Sequence, residues 1–230
     1  MSEYAKIKTV FERDLVTHKV LQGGQGDWPG LYKSAEFAAV HDWHLTEKID
    51  GTNIRVVLEP EYGGFQLRFL GRTDRAQLPA DLYEALYRMF NAEQMVELFH
   101  ADDPTDTNAE PYGVTLYGEG YGPRIQKGGG SYRSDPGFRL FDVKVGRKWL
   151  DWPNVVDIAG RLGIHTVPDL GVYSVRQAVD LVRIGFTSIA AMEDGGAGLP
   201  AEGVVAKTIP YLYDWRGNRV MWKLKSKDFA

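Results

Sequence analysis

The strongest constraint on the fold is the way short runs of β-branched and aromatic residues recur without a helix of regular length between them. Asn53 to Leu58 (NIRVVL) and Phe65 to Leu70 (FQLRFL) flank a Pro- and Gly-containing stretch, EPEYGG, and predict a β-hairpin. Gly113 to Glu119 (GVTLYGE), Phe138 to Val145 (FRLFDVKV), Gly203 to Ile209 and Val220 to Lys225 predict further strands. Helical signals fall between them at unequal lengths. From Pro79 to Phe99, Leu82, Ala85, Leu86, Met89 and Phe90 recur at i, i+3, i+4, i+7 and i+8, one face of an amphipathic helix. Val155, Ile158, Ala159 and Leu162, ended by Gly163, mark a second helix. Ser174 with Gln177 three residues on predicts a capping box opening a third, closed by Gly185. The polar stretch 101–111, ADDPTDTNAEP, predicts a loop. Strands scattered among unequal helices predict an α+β fold with mainly antiparallel sheets rather than a doubly wound one.

With 230 residues and 43% hydrophobic content the chain can bury a substantial core, and one domain is the simplest expectation. Its first residues, MSEYAKIKTVFERD, contain no apolar h-region. No stretch approaches the run of about 20 apolar residues that spans a bilayer, so a soluble, unexported protein is expected. The absence of cysteine excludes disulfides and thiolate metal sites, disfavours zinc and fits an intracellular compartment. A net charge of −4 and a pI near 5.8 argue mildly against a nucleic-acid partner held by the overall field. Lys and Arg nevertheless gather at 124–148 and 216–227, where either a cationic groove or an ordinary solvated face accounts for them.

A lysine stands immediately before a tight turn and a strand in Glu47-Lys48-Ile49-Asp50-Gly51-Thr52-Asn53. An amine attacks phosphorus only when unprotonated, so a nucleophilic Lys48 needs its pKa lowered from about 10.4 by nearby cations or desolvation. Gly51 lets the chain bend beneath a nucleotide, and Asp50 or Asn53 can fix the turn or a ribose. The same residues also suit an exposed lysine beside an Asp-Gly turn. Further along come Gly71-Arg72-Thr73-Asp74, Tyr117-Gly118-Glu119, Phe141-Asp142-Val143, Glu202-Gly203-Val204-Val205-Ala206-Lys207 and Trp222-Lys223-Leu224-Lys225. In this order the series resembles the collinear motifs of the covalent nucleotidyltransferases: motif I at Lys48 to Gly51, III at Glu119, IIIa at Phe141, IV at Glu202 to Val205 and V at Lys223 to Lys225. That superfamily comprises DNA ligases, RNA ligases and capping guanylyltransferases. Asn53, Arg72-Thr73 and the stretch Gly122-Pro123-Arg124-Ile125-Gln126-Lys127-Gly128-Gly129 look most like phage-type ATP-dependent RNA ligases. The similarity runs from about residue 44 to 228.

The resemblance implies an α+β nucleotidyltransferase (adenylation) domain of two twisted, mainly antiparallel sheets with flanking helices and a nucleotide cleft between them. It implies that Lys48 displaces pyrophosphate from ATP, that the AMP passes to a polynucleotide 5′-phosphate, and that a 3′-hydroxyl then expels it. Lys223 and Lys225, two apart on one strand and so on one face, would neutralise the α-phosphate and help lower the pKa of Lys48. Glu119 resembles the ribose-binding glutamate, and Arg72 offers a planar fork to phosphate or ribose. Glu47 and Ile49 flank the nucleophile and can meet the base. Asn53 ends motif I, and Arg55, in phase with it, can contact phosphate. Phe141 can stack on adenine. Glu202 suits Mg²⁺ or Mn²⁺, acting through water. The residues alone leave other readings open: Phe141 as core, Arg72 paired with Asp74, Glu119 as a satisfied strand-end carboxylate, and the lysine pair as the polar face of an edge strand.

Gly128-Gly129-Gly130, between Lys127 and Arg133, reads either as a cradle for the incoming 5′-phosphate or as a mobile loop. His41 and His44, lacking a third ligand, are expected to pack or lie at the surface rather than bind metal. No GxxxxGK[ST] motif is present, so ATP would rest on the strand-borne residues.

The sequence runs five residues past Lys225, and residues 1–230 are expected to form one nucleotidyltransferase domain with no appended C-terminal domain. Weak sealing, or dependence on an accessory protein or a domain in trans, is the expected consequence. The expected partner is a nucleic acid with 5′-phosphate and 3′-hydroxyl ends, RNA favoured, in the cytoplasm. Two other readings are a capping-type guanylyltransferase using GTP and a catalytically silent nucleotide- or RNA-binding module. The intact Lys48, Glu202, Lys223 and Lys225 speak against the silent module.

Overall fold

The computed structural model describes residues 3–21, 30–100, 112–196 and 198–229, so the loop expected at 101–111 lies outside the described residues. In chain order the elements begin with β1 (Lys8–Thr9), α1 (Ala35–Ala39), β2 (Trp43–Glu47), β3 (Thr52–Glu61), β4 (Gly64–Gly71), α2 (Ala80–Met89), α3 (Ala92–His100) and β5 (Val114–Tyr121). They continue with β6 (Gly137–Val145), β7 (Lys148–Trp149), α4 (Trp152–Leu162), β8 (His165–Thr166), β9 (Asp169–Tyr173), α5 (Val175–Ile184), α6 (Ile189–Glu193), β10 (Gly203–Lys207) and β11 (Met221–Lys225). Two compact units emerge, Met1–Tyr4 with Asp50–Val167, and Ala5–Ile49 with Pro168–Ala230.

In the first unit the strands run β4-β3-β5-β6-β7, all antiparallel, with β8 pairing parallel to β6. The predicted hairpin is β3–β4. Glu61 faces Gly64, leaving Tyr62-Gly63 as a two-residue turn in which Gly63 takes φ +87°. Pro60 sits inside β3 but beyond Leu58, the last residue paired with β5, so its missing N–H is not owed to that neighbour. Ile54 to Leu58 are all buried, which marks β3 as covered on both faces. Helix α2 buries Leu82, Ala85 and Leu86, and α4 buries Val155, Ile158, Ala159 and Leu162 before ending at Gly163, φ +67°. The single helix predicted from Pro79 to Phe99 is two helices. Phe90 turns to extended backbone with its side chain buried, and the Asn91 carboxamide oxygen accepts the Glu93 N–H at 2.7 Å, starting a new helix.

The second unit is a sheet of order β1-β11-β10-β2-β9, antiparallel except for the parallel pair β1–β11. Alternation decides its two faces. Trp43, Leu45, Val204, Ala206, Trp222 and Leu224 join one core with Val175, Ala178, Val179 and Val182 of α5. Burying each of these Val and Leu side chains contributes about 1.5–3 kcal/mol. With Trp222 and Leu224 in this core, Lys223 and Lys225 belong to the opposite face. Helix α5 opens with the predicted capping box, Ser174 N–H donating to Gln177 Oε1 (2.8 Å) and Gln177 N–H to Ser174 Oγ (3.3 Å). Strand β10 stops at Lys207, two residues before the predicted end. There the Thr208 hydroxyl oxygen accepts the Leu212 N–H at 2.8 Å and turns the chain away. No helix among the described residues is long and apolar enough to cross a membrane.

Candidate active site

Lys48, Glu202, Lys223 and Lys225 come together in the second unit. The Lys48 backbone N–H donates to the Gly203 carbonyl at 2.9 Å, fixing the end of β2 against the start of β10. Gly203 is required there: at φ +151° an added Cβ would fall 2.0 Å from the Leu224 carbonyl oxygen. Lys48 Nζ donates to Glu202 Oε2 at 2.5 Å and to the Ile49 carbonyl at 3.3 Å. Lys225 Nζ donates to the other carboxylate oxygen of Glu202. Burial would raise the Glu202 pKa, but the Lys48 and Lys225 ammoniums overcome it and hold the carboxyl below its usual range.

Lys223 completes the group. Burial, then the neighbouring charges of Lys225, Lys48 and Arg13, lower its pKa to about 8, with Glu202 pulling the other way. Its ammonium makes no hydrogen bond or ion pair among the described residues. Three amines around one carboxylate leave surplus positive charge, which a polyphosphate would neutralise.

Glu47, expected to meet the base by side chain or backbone, has its carboxylate committed elsewhere. Oε1 accepts the Ser188 hydroxyl at 2.5 Å, and Oε2 accepts the Ile189 and Ala190 N–H groups at 2.8 and 3.1 Å, so it caps α6. Ile49 is buried.

The remaining predicted site residues belong to the first unit. Asn53 on β3 lies directly opposite Glu119 on β5, and the buried Asn53 Oδ1 has no hydrogen-bond partner among the described residues. Gly51 makes this close approach workable: an added Cβ would fall 2.4 Å from the Gly120 carbonyl and 2.8 Å from Glu119 Cγ. Phe141 is the extra residue of a β-bulge, since Tyr117 faces Asp142 and Gly118 faces Leu140. Its ring is half-buried, edge-on to Tyr4 at 5.2 Å. Arg55 is fully buried and holds the end of the hairpin, Nε donating to the Gly71 carbonyl and Nη2 to Asp74, each at 2.7 Å. Asp74, the partner considered for Arg72, is thus taken by Arg55, and Arg72 is exposed.

Gly129 and Gly130 form a short 3-10 turn with Ser131, in which Gly129 is buried. Lys127 is exposed, and Arg133 pairs with Asp135 at 3.0 Å. His41 is exposed beside Asp42. His44 is buried against Asp169 at 2.8 Å, its pKa lowered by burial. Among the described residues no group of three or more His, Asp or Glu side chains is placed to hold a metal. Both Glu202 oxygens are held by ammoniums, so a hydrated divalent ion carried with phosphates would reach this carboxylate only when one of the lysines withdraws.

Sequence reasoning missed several residues that position these groups. The Asp50 N–H donates to the Tyr132 hydroxyl at 3.2 Å, and Gln126 Nε2 donates to the Gly51 carbonyl at 3.2 Å, so the glycine-rich segment braces the turn after Lys48. Asp228, buried, accepts the Lys225 N–H at 2.9 Å and pairs with Arg13. The Asp and Arg are each ordinary in sequence. Only the capping signal of Ser188, whose hydroxyl oxygen accepts the Ala191 N–H at 3.1 Å, was readable locally.

The profile of the RNA ligase family matches residues 41–225. No curated protein matches the chain. Among solved structures, an archaeal ATP-dependent RNA ligase is 18% identical with a TM-score of 0.57, covering 99% of this chain and 49% of that one. A Naegleria gruberi RNA ligase variant with ATP and Mn is 16% identical at TM-score 0.58, covering 96% of this chain and 61% of that one. Another variant of the Naegleria ligase, in apo form, is 18% identical at TM-score 0.57, covering 81% and 50%. The chain therefore spans about half the length of the first of the solved ligases it resembles, and at such identities the likeness is one of fold. The family profile, by contrast, takes in most of the sequence, including Lys48, Glu202, Lys223 and Lys225, and the chain belongs to the RNA ligase family.

Proposed function

We propose that the chain is an ATP-dependent RNA ligase that works through a lysyl-AMP intermediate on Lys48. The observation that carries this is the arrangement of Lys48 and Lys225 on the two oxygens of one carboxylate, Glu202, with Lys223 beside them. In the first step the unprotonated Lys48 Nζ attacks the α-phosphorus of ATP. A P–N bond forms, the bond from the α-phosphorus to the bridging oxygen breaks, and its electron pair leaves with pyrophosphate. To react, Lys48 must release Glu202 and lose its proton to solvent, while Lys223 and Lys225 neutralise oxygens on the phosphate chain. An oxygen of the RNA 5′-phosphate next attacks the same phosphorus, the P–N bond breaks, and Lys48 regains a proton. Finally a 3′-hydroxyl attacks the 5′-phosphorus, loses its proton, and AMP departs.

Asn53, Glu119 and Phe141 are proposed to hold the nucleoside, and Arg72 a phosphate or the ribose. Glu47 contributes by anchoring the strand that ends in Lys48. A Mg²⁺ or Mn²⁺ ion would offset charge on the phosphates, with Glu202 the residue to hold it through water. The Naegleria gruberi relative solved with ATP and Mn supports the use of ATP and a divalent ion. The substrate is RNA bearing 5′-phosphate and 3′-hydroxyl ends, inside the cell, with an accessory protein or a domain in trans aiding its capture.

The test gives the purified chain labelled ATP or GTP with Mg²⁺ or Mn²⁺, then 5′-phosphorylated nicked and single-stranded RNA and DNA. Covalent label from ATP and sealing of RNA are expected. Label retained only from GTP, or sealing of nicked DNA without RNA, contradicts the proposal.

A further inference from the structure

We propose that the connection between β10 and β11, residues 208–220, is a stacking platform for the single-stranded part of the nucleic-acid substrate. It rests on the ligase reading for the identity of that strand.

Here Ile209, Leu212, Tyr213 and Trp215 are all exposed, Trp215 at 83% of its surface. Isolated exposed apolar residues are ordinary, but four within seven positions form a patch of the kind that marks an interaction site. The turn that presents them is built. Asp214 Oδ1 accepts the backbone N–H groups of Arg216 and Asn218 at 2.9 and 2.8 Å, and the Asn218 side chain donates to Oδ2 at 3.1 Å. The Asp214 N–H donates to the Asn218 carbonyl at 2.8 Å, and Gly217 supplies φ +77°. Trp215 is therefore held outward by a hydrogen-bonded tip.

Two arginines lie against rings in this segment. The Arg216 guanidinium is 4.4 Å from the Trp215 centroid and that of Arg219 is 5.1 Å from Tyr211. The Trp215 ring, exposed and flanked by the Arg216 guanidinium, offers a surface on which a base stacks with its phosphate at the cation. Charge selects a polyanion over a protein partner. Within residues 208–220 two arginines, Arg216 and Arg219, outnumber the one carboxylate, Asp214.

Register sets the distance to the chemistry. Lys207 faces Met221 at the platform end of the β10–β11 hairpin and Gly203 faces Lys225 at the other. The four steps of strand between them span about 13 Å. The platform thus grips nucleotides removed from the reacting end.

The test compares the unaltered chain with the double variant Trp215→Ala/Arg216→Ala and with Trp215→Phe, by fluorescence anisotropy on RNA of about 20 and about 3 nucleotides. Lysyl-AMP yield from ATP without RNA is measured alongside. The double variant should bind the long strand about tenfold more weakly, with binding of the short strand and lysyl-AMP yield unchanged, and Trp215→Phe should retain most of the affinity. Equal affinity of the double variant for the long strand overturns the platform, as does an equal loss on both lengths. Failure of the unaltered chain to form lysyl-AMP would instead defeat the ligase reading, while the two strand lengths still decide whether the platform exists.

Discussion

The two units satisfy their polar groups by different means. In the second, Lys48 and Lys225 both bond Glu202, Lys223 stands beside them, and the charges hold each other in place with a surplus of cations. In the first, Asn53 and Glu119 face each other through strand register, a bulge sets Phe141, and one buried oxygen, Asn53 Oδ1, has no hydrogen-bond partner among the described residues. The contrast teaches that one unit is built on ion pairing and the other on strand register, and under the proposed function the first of these meets phosphate and the second the nucleoside. Substitutions in the second should therefore change rate, and those in the first should change nucleotide affinity.

The largest effect tests the charged unit. Lys48→Arg keeps a cation for Glu202 and so keeps the fold, yet removes the nucleophilic amine, and adenylyl transfer should fall by at least about 10³-fold in a single-turnover assay. Next, Lys225→Ala removes a cation expected to stabilise the developing phosphate charge and should slow the same step about 10²-fold with little change in KM for ATP. A mainly KM effect would erase the distinction between the units. In the first unit, Asn53→Ala deletes a buried acceptor that has no partner among the described residues. It should leave thermal stability near that of the unaltered chain while raising KM for ATP about tenfold.

The smallest effect concerns Lys223, whose folded-state pKa of about 8 lies below its ordinary 10.5. Below about 8 the residue is charged whether folded or unfolded, and folding bears the cost of burying that charge. Between about 8 and 10.5 the folded chain has shed a proton that the unfolded chain retains, so this residue's contribution to stability rises with pH. Lys223→Met should lack that rise and, at neutral pH, melt about 2–4 °C higher despite weaker ATP use. A variant that melts lower would show that Lys223 is compensated in the fold. Over the same range, ATP binding should weaken as pH climbs through about 8, because the ammonium offered to phosphate is lost.

Much of this was readable in the linear sequence wherever the cause is local. The capping box at Ser174 and Gln177, the Gly163 stop, and the alternation that puts Trp222 and Leu224 in the core and Lys223 and Lys225 on the other face all follow from neighbours a few residues apart. The break at Phe90 and Asn91 was also local, but the apolar period ran through it and masked the Asn cap. What stayed hidden depends on partners far along the chain. Phe141 stands on a bulge because β5 and β6 shift register. Glu47 caps α6 across 142 positions at Ile189, and Tyr132 braces Asp50 across 82. No spacing rule reaches that far.

The central claim is that one amine, on Lys48, carries the adenylyl group. Incubating the chain with ATP and Mg²⁺, digesting it under conditions that spare phosphoramidates, and mapping the modified peptide by mass spectrometry tests it most directly. The account predicts a single adenylylated lysine at position 48. An adenylyl group found on Lys223 or Lys225, or on no residue at all, would contradict it.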